Sequence, residues 1–81
     1  MNKEHIVFHL RDAREATDKL IAEIEANLDY DYGNFVVDIS HVYHHINTAW
    51  NGRDATPERA SECSESDFQT WRQFPQDLDI L

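Results

Sequence analysis

FVVDISHVYHHINTAW, residues 35–50, decides the fold: it holds the densest apolar pattern of the chain and three of its five histidines. On a helix at about 100° per residue, Phe35, Ile39, Val42, Tyr43, Ile46, Ala49 and Trp50 share one face. Asp38, His41, His44, His45 and Thr48 take the flank and the back. The first set predicts a core face, the second a wetted face or a site. Gly52 follows at once and fits a left-handed residue closing the helix.

Toward the N-terminus, Ile6, Leu10, Ala13, Thr17, Leu20, Ile21, Ile24 and Leu28 recur at three- and four-residue steps. Asn2 is placed to cap this helix, with Glu4 in its first turn facing the positive end of the dipole. Neither Gly nor Pro interrupts it. The stretch DYDYG, residues 29–33, reads as the connection, since aspartate and glycine suit turns. So short a link between two long helices implies an antiparallel hairpin. Phe8 and Val37 point away from the two apolar faces and are expected on an outer interaction surface.

Toward the C-terminus the composition turns polar. Thr56-Pro57-Glu58 predicts a helix start with proline in the first position. Ser64 followed by Asp67 resembles a capping box with Asp in place of Glu. The helix it opens runs through DFQTWRQF and stops at Pro75. Phe68, Trp71 and Phe74 each gain about 1.5–3 kcal/mol from full burial, so this segment is expected to fold back over the hairpin. QDLDIL, residues 76–81, reads as a fraying tail. The expected fold class is all-α: a single domain, 1–81, with helices over about 3–28 and 33–51 and a short C-terminal helical segment over about 57–74 packed against the hairpin.

A chain of 81 residues has a small core,, and association with a copy or a partner is a common remedy. Sixteen acids against seven bases give a net charge of −9. That sign repels phosphate backbones and disfavours direct nucleic-acid binding. Residues 54–81 hold seven of the acids and two of the bases, a local charge of −5. The single cysteine, Cys63, excludes an internal disulfide and fits a reducing compartment. Ile6, Val7 and Phe8 form too short an apolar run for a secretory leader, and no run approaches the roughly 18 residues of a membrane span. A cytoplasmic protein, away from membranes, is expected.

Asp38, His41 and His45, at i, i+3 and i+7, line one strip of the second helix. A carboxylate and two histidines make a three-ligand set for zinc or another divalent metal. His5 and His9 form a second four-spaced pair; His9 is expected near Trp50 and Asn51, not beside His41, which makes two clusters rather than one shared site. HVYHH matches neither H-E-x-x-H, because Val42 occupies the glutamate position, nor H-x-x-E-H, because His44 does. Glu62 and Glu65 lie near Cys63 in sequence, and carboxylates beside a thiol disfavour the thiolate that a nucleophile needs. Gly33 and Gly52 stand alone, so no phosphate-binding loop exists. The leading expectation is a non-enzymatic interaction module, a homodimer whose two hairpins form a four-helix bundle. The alternatives are a divalent-metal-binding domain built on Asp38, His41 and His45, and an acidic inhibitor or nucleic-acid mimic meeting a basic protein.

Overall fold

The computed structural model describes residues 1–80; Leu81, which ends the expected tail, lies outside them. The described residues form four helices and no strand: α1 (Lys3–Ala26), α2 (Tyr32–Asn51), α3 (Pro57–Glu62) and α4 (Glu65–Trp71). The expected all-α hairpin is present. Helices α1 and α2 pack against each other along their length, and α4 packs on α2.

Each helix begins where its sequence can satisfy the free N–H groups of a first turn. Asn2 accepts from the His5 N–H at 3.0 Å. Its own N–H donates to the Arg53 carbonyl at 2.6 Å and its side-chain amide to that of Ala55 at 3.0 Å, tying the start of α1 to the chain leaving α2. Asp31 and Asn34 cap α2 reciprocally: each side-chain oxygen accepts the other's N–H, at 2.9 and 3.1 Å. That box pulls Gly33 into the first turn of α2, so the connection is residues 27–31, shifted back from the expected 29–33. Thr56 and Pro57 open α3 as expected. Ser64 caps α4, but the Asp67 carboxylate does not reciprocate. It takes the Arg59 guanidinium at 2.6 Å instead, clipping α4 to α3.

Gly52 corrects an expectation. Its φ is −99°, not left-handed; among the described residues the one positive φ is that of Cys63, at 40°, closing α3. Glycine is required at position 52 for room. A Cβ there would stand 2.6 Å from His5 Nε2 and 3.2 Å from the Trp71 ring.

The polar residues of HINTAWN and the ending WRQFPQD belong together. Asn47 donates to the Arg72 carbonyl at 3.0 Å, and Asn51 to those of Trp71 and Gln73 at 2.8 and 2.6 Å. These are the carbonyls that the end of α4 leaves without helical partners. The Trp50 indole N–H donates to Asp77 at 2.8 Å, and Arg53 stacks on the Trp50 ring while reaching the same carboxylate at 3.5 Å. The segment folds back as expected, but only Trp71 of its three aromatics is buried, at 5% exposure. Phe68 is half-buried beside His44, and Phe74 is exposed with its ring against the edge of Tyr43.

The core is thin. Buried apolar residues are Ala13, Leu20, Val42, Ala49 and Trp71, and no described side chain is fully enclosed. Phe35, Tyr43 and Ile46, expected in the core, remain exposed, as do Leu10, Ile21 and Ile24 on α1 and Leu28 in the connection. The reason is geometric. Two helices touch along one narrow seam, and the apolar arc of each is wider than that seam.

Candidate functional site

The surplus apolar arc forms a continuous surface. Taking Ala13 and Val42 as the inward points of α1 and α2, Leu10, Thr17, Ile21 and Ile24 turn to one side of α1,. Phe35, Val36, Ile39, Tyr43 and Ile46 turn in the same rotational sense on α2. In an antiparallel pair these displacements point to the same side of the hairpin. Both stripes keep a heptad step, 10-17-24 and 14-21 on α1 and 36-43 and 39-46 on α2, the spacing at which four-helix bundles interlock. Arg14 is the one charged residue within the stripes.

Phe8 and Val37 are exposed as expected, at 60% and 69%, but they lie on the opposite side. Phe8 borders a groove with His5, His9 and Pro57, and Val37 one with Lys19, Glu23 and His41. The larger surface was hidden in the sequence because its residues read as core.

The opposite side carries all five histidines in one contiguous array. His5 and His9 rings lie 4.7 Å apart, His9 and His45 5.5 Å, and His45 is 4.7 Å from both His41 and His44. Two separate clusters were expected; the seam merges them, because His9 on α1 stands directly across from His45 on α2. Their Nδ1 atoms are 3.2 Å apart. Asp12, one turn after His9, brings a carboxylate oxygen to 3.9 Å from His45 Nδ1. Of the expected metal set, His41 and His45 belong to the array, but Asp38 turns away to accept the Tyr30 hydroxyl at 2.7 Å. Burial and that hydrogen bond push the Tyr30 pKa up to about 12. Asp12 carries no spacing signal, because its partner His45 lies across the seam on α2.

Burial, then the neighbouring rings of His5 and His45, push the His9 pKa down to about 4, with Asp12 opposing. Burial likewise lowers His44 and His45. The Asp12–His45 approach is therefore a carboxylate beside a neutral ring at neutral pH, and 3.9 Å is too long for a hydrogen bond,. His5 Nε2 and His44 Nδ1 are buried without a hydrogen-bond partner.

A pH dependence follows. The unfolded chain protonates its histidines near pH 6.5, whereas folded His9 resists protonation until about 4. Between those values the unfolded state binds more protons, so stability is present above pH 6.5 and declines as pH falls through the window. The metal-free protein should show a lower urea midpoint at pH 5 than at pH 7, and His9→Gln should reduce the difference. Equal midpoints at the two pH values would contradict the lowered pKa of His9, His44 and His45.

The fold defines a class, a helical hairpin with two short helices docked on it, and among the described residues no helix is long and apolar enough to cross a membrane. No protein-family model, no curated protein and no solved structure significantly matches the chain.

Proposed function

We propose that this chain is a non-enzymatic self-association module, in which two hairpins pair their open faces into a four-helix bundle about a two-fold axis. The observation that carries the reading is the accessible surface, 6290 Å². A compact monomer of 9.5 kDa exposes about 5,000 Å² by the usual size scaling, so roughly a quarter more is bare. The radius of gyration, 14.2 Å, exceeds the ~12 Å of a compact chain of this length in the same way. Leu10, Ile21, Ile24, Phe35, Val36, Tyr43 and Ile46 are each two-fifths to one-half exposed. Together they present about 600 Å², most of the ~800 Å² that each partner contributes to a standard interface. A second copy is the occupant that fits, because the stripes on both helices repeat at the bundle step and are self-complementary under two-fold symmetry.

Asn47, Trp50 and Asn51, the polar residues at the end of α2, are engaged in holding the C-terminal segment. Charge supplies a discriminator. Two copies at −9 each repel, so added salt should tighten the dimer, whereas an acidic face binding a basic protein would weaken with salt. Sedimentation equilibrium on the untagged chain at micromolar concentration is expected to give a mass near twice 9.5 kDa, with a dissociation constant that falls as salt rises. A single 9.5 kDa species at every concentration and salt level would overturn the reading.

A further inference from the structure

We propose that His9, Asp12 and His45 form a binding site for one divalent transition metal of the zinc class, bridging α1 and α2 on the side of the hairpin away from the open face. One ligand atom from each of the three lies within 4.8 Å of the others. The 3.2 Å between His9 Nδ1 and His45 Nδ1 is the informative distance. Two imidazole nitrogens bound to one zinc at about 2.0–2.1 Å with tetrahedral angles stand about 3.3 Å apart. The pair already has the span of a coordination edge; without a metal the same contact is an Nδ1–H···Nδ1 hydrogen bond, whose proton a metal would displace. Asp12, one-third exposed, needs to close by about half an ångström on its edge with His45,.

The rest of the site fits the same chemistry. Two nitrogens and a carboxylate oxygen suit zinc, cobalt(II) or nickel(II) better than calcium or magnesium, which prefer all-oxygen sets. Three protein ligands leave a fourth position open, and each of the three residues is part-exposed. His5 and His41 flank His9 and His45 at 4.7 Å between ring centres. The ligand set differs from Asp38, His41 and His45 in two of three positions, which makes the two assignments separable.

The test is cobalt(II) titration of metal-free, untagged protein at neutral pH, read by the visible absorption of tetrahedral cobalt and by native mass spectrometry. One equivalent is expected to bind, with an absorption band in the visible and a single-metal mass shift. His9→Gln and His45→Gln should each weaken binding by at least about 100-fold, the upper end of what losing a mere outer-shell partner costs. Asp12→Asn, at the exposed rim where it cannot unfold the hairpin, should weaken it by at least about 10-fold. Asp38→Asn should leave it unchanged. No stoichiometric binding, binding untouched by Asp12→Asn, or binding lost in Asp38→Asn would each overturn the assignment.

Discussion

Trp71→Ala is expected to cost about 3–5 kcal/mol of folding stability, the usual range for emptying a large aromatic site in a core. Trp71 is the largest buried side chain in the chain. It closes against His5 of α1 at 5.4 Å between ring centres and against the Cα of Gly52, where no Cβ is tolerated. It thereby joins α1, the end of α2 and α4 at one point. Its carbonyl receives the Asn51 amide, so loss of its packing also loosens the hydrogen bonds that hold the terminal segment. A domain of this length has a total stability of roughly 4–12 kcal/mol, so the substitution removes a large share. Urea unfolding followed by circular dichroism should show a strongly lowered midpoint, and Phe74→Ala, at an exposed ring, should change it by less than about 1 kcal/mol. Equal effects of the two substitutions would mean that the C-terminal segment is not seated as described.

Ile21→Glu combined with Ile46→Glu should abolish dimer formation while leaving the hairpin helical. Both side chains are nearly half exposed in the single chain, so a carboxylate there meets water and costs the protomer little. In the paired state each substitution occurs twice, and four carboxylates would enter an apolar seam at a penalty of several kcal/mol. At about 1.4 kcal/mol per tenfold, the dissociation constant should rise by more than ~1,000-fold, which sedimentation reads as a monomer at all accessible concentrations. Helical circular dichroism is the companion measurement. The double variant at Phe8 and Val37, Phe8→Ser with Val37→Ser, should remain dimeric, because those residues lie on the histidine side. Dimerisation that survives the isoleucine pair and fails in the Phe8 and Val37 pair would move the interface to the other face.

The hairpin was legible because its signals are local. Caps at Asn2, Thr56 and Ser64, an uninterrupted periodicity in α1 and the polar break before α2 all act within a few residues. The core was only half legible. Periodicity identifies an apolar arc but not its width relative to the contact, so Leu10, Ile21, Tyr43 and Ile46 read as interior when one hairpin can cover only the seam through Ala13, Leu20, Val42 and Ala49. Gly52 was assigned to the right place for the wrong cause, since the demand on it comes from His5 and Trp71, one far upstream and one downstream. The histidine array was legible in kind and not in membership. Spacing groups residues on one helix, and so it joined Asp38 to His41 and His45. The register between helices, which sets His9 and Asp12 opposite His45, is a property of packing. Tyr30 also captures Asp38, a contact across the turn that no spacing rule marks.

Isotope-filtered NMR on a mixture of labelled and unlabelled chains reads whether the open face is where two copies meet. Contacts seen only between a labelled and an unlabelled protomer are intermolecular by construction. Such contacts are expected from the methyl groups of Leu10, Ile21, Ile24 and Ile46 to the rings of Phe35 and Tyr43, and none from Phe8 or Val37. Intermolecular contacts confined to Phe8 and Val37, or no intermolecular contacts at concentrations where the chain is folded, would contradict pairing through the open face.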